Sequence, residues 1–167
     1  LTHGAVNRAP VLAQAQASGL LSEIASALSG TNRVPAVNRA RLVVFMGSEN
    51  NVGRVAGLAG FSWKVPGVRA ETPLLPGCSM AFELWNTPSG PQVRCFFITQ
   101  ALHEKIPVAV NGRYAVIEPF GEDGEAVVMP LSRFEKIASS RVRNACVPPE
   151  PSVVREVVTQ GSGGSHR

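Results

Sequence analysis

The sequence predicts an α/β domain with a mixed, mostly parallel sheet, and three observations carry that prediction. Arg41 is followed by Leu42, Val43, Val44, Phe45 and Met46, an unbroken apolar run of strand length. Such a run is the pattern of an interior strand buried on both faces. A polar turn follows, Gly47 to Asn51, after which Val52, Val55, Ala56 and Ala59 restore a helical period. Upstream, Leu20, Ile24 and Leu28, with Leu21 beside them, line one face of a helix expected over 9–29.

The remaining elements follow in chain order. Gly30 is placed to end the first helix, and 32–38, with Pro35, reads as a loop. The helix after the polar turn is expected over 50–59. Pro66-Gly67 and Pro76-Gly77 bracket a loop. Two strand-like runs come next, Met80 to Trp85 and Val93 to Thr99, joined by turn residues 86–91 into a β-hairpin. Phe96 and Phe97 are adjacent in a strand and must point to opposite faces, so both faces of the hairpin are expected to be covered. Trp63 and Trp85 stand in apolar contexts that suit core packing. A short strand over 114–118, a turn at Gly121 to Gly124 and a last helix from Leu131 to Arg141, burying Phe134, Ile137 and Ala138, complete the pattern. Pro148, Pro149 and Pro151 end regular structure, and the Gly/Ser run 161–165 resembles a linker. The expected division is one domain over 1–150 and a flexible tail over 151–167.

Bulk composition narrows the function classes. The chain has 167 residues, 44% of them apolar and 17% charged, enough for one domain with a real core and too apolar for disorder. A net charge of +4 and a pI near 9.4 would suit an anionic ligand. The basic residues are spread thinly, with only Arg141 and Arg143 close together, which points away from nucleic acid. No run approaches the length of a membrane-spanning helix, and the first residues lack the order of a signal peptide. Cys78, Cys95 and Cys146 show no metal-ligand spacing with His3, His103 or His166, so no metal and no cofactor are expected. An odd number of cysteines leaves at least one thiol without a partner in the chain.

Position alone makes the 47–51 turn the best site candidate. Ligands of open α/β sheets gather outside the carboxyl ends of strands, where a following helix presents unpaired N–H groups. The competing reading is plain helix capping by Ser48 or Asn50. His103 reads as a surface histidine.

Three stretches, in order, resemble the C-terminal half of histidine acid phosphatases of the bacterial phytase and glucose-1-phosphatase type. Ala13 to Leu21 is similar to a family segment A-R-S-R-A-T-P-L-L. Met46 to Asn51, followed by Gly57 to Gly67, is similar to the family's strand, G-H-D-T-N turn, helix and L-x-W-x-L-P-G loop. Thr72 to Trp85 is close to T-P-P-G-G-x-L-V-F-E-x-W. The likeness runs to about Cys146, whose Asn-Ala-Cys setting resembles the family's C-terminus. It implies the C-terminal part of a three-layer histidine-phosphatase fold, a partner in the N-terminal half of that fold, and a periplasmic or secreted protein. In the family a histidine in an R-H-G-x-R-x-P motif of the N-terminal half is phosphorylated, arginines and a second histidine hold the phosphate, and an aspartic acid protonates the leaving alcohol.

At the matching positions the chain departs from that pattern. Ser48 stands at the place of the phosphate-binding histidine, Glu49 at that of the proton-donating aspartate, and Gln14 and Gln16 at those of two arginines. Asn50, with Gln14 and Gln16, falls at the substrate-binding positions. Glutamate can still donate a proton, whereas Ser48 and the two glutamines offer neutral hydrogen bonds in place of cations. The echo of R-H-G-x-R-x-P in Thr2 to Pro10 lacks the first arginine and the spacing, so His3 reads as a loop residue. Two functions are compatible with these residues: a phytase-like hydrolase with a changed small-molecule substrate, or a non-catalytic binding or assembly subunit of the same fold.

Overall fold

A computed structural model describes residues 8–65, 67–100, 114–121, 124 and 126–149. His3, His103, His166 and the expected tail 151–167 lie outside the described residues. Helix α1 spans Pro10–Ser29. Proline at its first position has no N–H to leave unpaired, and Gly30 closes it at φ 68°, the left-handed conformation only glycine adopts without strain. Ala13, Ala17, Leu21 and Ile24 form its buried stripe. The first two have side chains small enough for a neighbouring helix to approach closely, and the stripe packs on α3, Glu49–Ala59, through Val55, Ala56 and Ala59. Between them, the expected loop contains a single short helix, α2, Pro35–Arg39. Asn32 organises this connection: its amide donates to Glu23 and Ser26, and its backbone N–H donates to Asn38.

After α3 the chain turns at Gly60 and buries Phe61, Trp63 and Val65 in alternation. Trp63 anchors the loop that follows. Its indole N–H donates to the Pro73 carbonyl at 3.0 Å, and its own carbonyl accepts the Thr72 N–H at 2.9 Å. Its ring stacks on Phe97, with centroids 4.2 Å apart.

Strands β1, Ser79–Thr87, and β2, Gly90–Gln100, form the expected hairpin with a two-residue connection, Pro88-Ser89. Strand β3, Tyr114–Ile117, and strand β4, Val128–Pro130, both pair with β2. All three pairings are antiparallel, which corrects the expectation of a mostly parallel sheet while keeping the α/β class. Strands β1 and β2, joined by two residues, can only run antiparallel, and the 42–46 run, expected as an interior strand, forms none. That run has no ladder partner among the described residues and lies open, with Leu42 79%, Val44 65% and Met46 91% exposed.

One face of the sheet meets the helices. Val93, Cys95 and Phe97 of β2, with Met80 and Phe82 of β1, join Trp63 and Phe134 in the core. Phe134 and Ala138 are the buried face of α4, Leu131–Arg141, with Ile137 packed beside them. A 3₁₀ turn, Asn144–Cys146, then packs on α1. The other face of the sheet is only partly covered: Phe96 is half-buried, but Trp85, Val116 and Val128 are exposed. Trp85 is therefore not core. It follows Phe82 by three positions in a strand, so it points away from the core, stacks under Arg94 and donates its indole N–H to Glu83. The three cysteines are free thiols.

Candidate active site

The candidate turn is built by a cap. Ser48 is the residue before α3, with extended backbone at φ −106° and ψ 170°. Asn51, three positions on, folds its side chain back so that Oδ1 accepts both the Ser48 N–H at 2.9 Å and the Ser48 hydroxyl at 3.2 Å. The Asn51 N–H donates to the Ser48 carbonyl at 3.0 Å. This is the reciprocal logic of a capping box, with Asn supplying the returning side chain. It requires Gly47: a Cβ at that position would lie 2.9 Å from Asn51 Oδ1 and 3.1 Å from its Cγ.

Glu49 opens the helix, where a negative charge meets the positive end of the backbone dipole. Its carboxylate makes no hydrogen bond or ion pair among the described residues, and it is half-buried. Across the turn is Cys78, just before β1. Burial pushes its thiol up from the ordinary range, a backbone hydrogen bond with Leu75 partly offsets this, and the negative charge of Glu49 adds to the rise. The Glu49 charge is thus felt at a thiol 29 positions away in the sequence. Spacing in the sequence carries no signal for that neighbourhood, because the intervening loop is folded by Trp63.

The other predicted residues are placed as follows. Asn50 is the next residue of α3 and half-buried. Gln14 lies in α1, where its amide donates to the Arg141 carbonyl at 3.2 Å, and the Arg141 guanidinium donates to the Leu58 carbonyl near the far end of α3. Gln16 is exposed. The fold therefore groups Ser48, Glu49 and Asn50, and among the described residues no hydrogen bond or ion pair ties Gln14 or Gln16 to them. Arg54 of α3 has a buried Nε with no partner. Five positions from Glu49, it lies about 140° around the helix and does not share that residue's face.

The turn thus offers a carboxyl group, a hydroxyl already donating to Asn51, and the N-terminal N–H groups of α3. Such a set can hold or deliver a proton and can hydrogen-bond an anion, and it has no metal-binding group of His, Cys, Asp and Glu among the described residues. A shallow concavity elsewhere, lined by Arg94, Phe96, Glu118 and Val128, encloses essentially no volume, whereas ordinary ligand sites hold about 300–1,000 Å³.

Helices on one face of an antiparallel-paired sheet occur in many folds, and it is the comparison with solved structures that makes this a phytase-like histidine-phosphatase-fold domain. No protein-family model matches the chain, and no curated protein sequence matches it. Solved structures do match. A Hafnia alvei phytase in complex with tartrate superposes with a TM-score of 0.68 at 26% identity, over 86% of this chain and 38% of the phytase. A Citrobacter braakii phytase matches at TM-score 0.64 and 23% identity, over 84% of this chain and 38% of that one. A Klebsiella phytase matches at TM-score 0.69 and 20% identity, over 90% and 38%. The chain thus spans 38% of the length of the phytases it matches, consistent with the C-terminal half that the sequence motifs indicate.

Proposed function

We propose that the chain is the C-terminal portion of a phytase-like hydrolase whose phosphate-binding motif has diverged, with Glu49 as its proton donor and a changed substrate. The observation that carries this reading is the position of Glu49: a half-buried carboxyl group in the first turn of α3, with no hydrogen bond or ion pair among the described residues, at the place where the resemblance puts the family's acid. The chemistry needs more than this segment. A nucleophile and cations would come from the N-terminal half of the fold, as a separate chain or as another part of the same one, in a periplasmic or secreted protein. Catalysis of phosphoryl transfer rests on positioned cations and hydrogen bonds around the equatorial oxygens. Ser48, Gln14 and Gln16 supply no charge, so ordinary phosphomonoesters are poor substrates of the assembled protein.

The test is hydrolysis of a phosphomonoester panel by the protein assembled with its N-terminal half. Glu49→Gln lowers kcat by about 10²–10⁴-fold, the usual worth of a positioned general acid. Unchanged kcat removes Glu49 from the role. Wild-type turnover of phytate at about 10 s⁻¹, ordinary for enzymes, would refute the changed substrate.

One observation favours a second reading, a non-catalytic binding or assembly subunit. The Ser48 amide and hydroxyl both donate to Asn51, so the residue at the family's histidine position serves as a helix cap. Under that reading the double substitution Ser48→His with Glu49→Asp raises no activity in the assembled protein, whereas under the first it raises phosphomonoester turnover.

A further inference from the structure

Arg54 is a half-buried charge near the site that the proposed chemistry does not use. Among the described residues it makes no hydrogen bond or ion pair. Its Nε is closed to solvent and has no acceptor, whereas neither Nη group is enclosed in that way. Packing therefore fixes the stem of the side chain and leaves the far end of the guanidinium open.

Helical geometry gives the direction of that open end. Successive residues of α3 are about 100° apart, so Asn50, Arg54 and Gly57 follow one another on the side opposite the buried Val55, Ala56 and Ala59. Residue 8 lies over the lower part of this side, because a Cβ at Gly57 would be 2.8 Å from Arg8 Cα. The Arg8 guanidinium is itself taken up by the Phe61 carbonyl and the Ser62 hydroxyl. Helical side chains lean toward the N-terminus of their helix. Arg54 thus extends toward Asn50, about 6 Å up the axis, and toward the turn that carries Ser48 and Glu49.

A partly desolvated cation without a counter-ion is costly, and a buried donor without an acceptor adds to that cost. An anion at the open end relieves the first. The guanidinium charge is delocalised over its three nitrogens, so compensation at the Nη pair is felt at the enclosed Nε as well. A neutral ligand offers hydrogen-bond acceptors but leaves the charge unmatched. The side chain is already held by packing, so an arriving anion pays little for ordering it.

We infer that Arg54 binds an anionic group of the substrate other than the one being hydrolysed, so that the substrate is an ester carrying a second anionic group. The inference rests on the hydrolase reading and names the substrate class that goes with it. Arg54 lies about 140° around α3 from Glu49, so the group it holds sits to one side of the bond that Glu49 would protonate. Its role is specificity: Ser48, Gln14 and Gln16 bring no charge, and Arg54 returns one cation, displaced from the reacting centre.

The experiment has two arms. In the first, the isotope-labelled full 167-residue chain is titrated with inorganic phosphate at constant ionic strength, and the Arg54 Nε–H and Asn50 amide signals are followed by NMR. Both shift saturably with a Kd of about 1–10 mM. Arg54→Gln abolishes the shift at Asn50, Arg54→Lys keeps part of it, and Glu49→Gln, which removes a repelling charge, tightens binding about twofold. Asn50→Asp sets a carboxylate one turn from Arg54 and weakens phosphate at least about threefold, a test that stands even where Arg54→Gln does not fold. In the second arm, the protein assembled with its N-terminal half is assayed on paired esters with and without a second anionic group. The wild type prefers the doubly anionic ester, and Arg54→Gln lowers that preference about tenfold through KM rather than kcat. Several results would overturn the inference: no saturable shift by about 50 mM phosphate, an equal shift with sodium chloride (an adventitious ion only), binding unchanged in both Arg54→Gln and Asn50→Asp, or an ester preference that Arg54→Gln leaves intact. Failure of the hydrolase reading shows separately, as unchanged turnover in Glu49→Gln, and leaves the phosphate titration standing.

Discussion

Substituting Gly47 by Ala tests the architecture of the candidate site, because its effect should depend on the residue at position 51. The new Cβ would lie 2.9 Å from Asn51 Oδ1 and 3.4 Å from its Cβ, closer than Oδ1 can remain. The Asn51 side chain must then swing away, and the Ser48 N–H and hydroxyl lose their acceptor. Loss of a helix cap costs about 0.5–2 kcal/mol. Against this, alanine in place of glycine restricts the unfolded chain and stabilises by about 0.4–1 kcal/mol where the backbone tolerates it. In the wild type the net effect of Gly47→Ala therefore lies between about 1.6 kcal/mol destabilising and about 0.5 kcal/mol stabilising. In an Asn51→Ala background there is no Oδ1 to displace, and the same substitution becomes stabilising by about 0.4–1 kcal/mol. The double-mutant cycle should therefore show a coupling energy of about 0.5–2 kcal/mol. Urea unfolding followed by circular dichroism measures it, with equal m-values confirming that the same transition is compared. Equal destabilisation by Gly47→Ala in both backgrounds would refute the close approach and the cap built on it.

Further outcomes follow from the core and its thiols. Trp63→Phe keeps a ring against Phe97 but strands the buried Pro73 carbonyl that the indole N–H satisfies, and should cost about 1–3 kcal/mol in the same unfolding assay; a neutral result would mean water or another donor reaches Pro73. Burial pushes the Cys95 thiol well above its ordinary value of 9.0, so the native state keeps a proton that the unfolded chain loses. Stability present below about pH 9 is then lost as pH rises further, by up to about 1.4 kcal/mol per pH unit, and Cys95→Val should remove that part of the alkaline slope. A disulfide-forming thiol reagent at neutral pH should correspondingly spare Cys95, 2% exposed, while labelling Cys146; rapid labelling of all three would show that the sheet opens more readily than its packing implies.

Much of this molecule was legible from residue patterns. The spacing of Leu20, Ile24 and Leu28 marked α1, although the buried stripe runs through Leu21 and Ile24 with Leu20 and Leu28 only half-buried; Gly30 marked its end, the spacing of Val52, Val55 and Ala59 marked α3, and Phe134 and Ala138 marked α4. Turn residues 86–91 marked the hairpin, although the ladder continues through Asn86 and Thr87 and leaves only Pro88 and Ser89 unpaired. These features are local: a helical face or a tight turn is fixed by side chains a few positions apart, so its signal survives without the rest of the fold. Strand β4 had no such signal, being three residues long and held by β2.

Of the candidate site, the sequence located Ser48, Glu49 and Asn50 together because they are consecutive. It could not place Gln14 against Arg141, Cys78 within the field of Glu49, or the Asn51 side chain under Ser48 where Gly47 leaves room. Those neighbourhoods arise when α1, the Trp63 loop and β1 pack together, and packing depends on shapes meeting across dozens of residues. Apolar character likewise states that a segment is covered, without stating by what. Trp63 and Trp85 look alike in sequence, yet the loop after α3 carries one into the core and strand alternation sends the other to the open face. The run 42–46 reads as an interior strand, and among the described residues it stays uncovered. Hydrophobic burial is a nondirectional demand for cover, set residue by residue along the chain. Which surface meets that demand is decided only when specific backbones and side chains come into register in three dimensions.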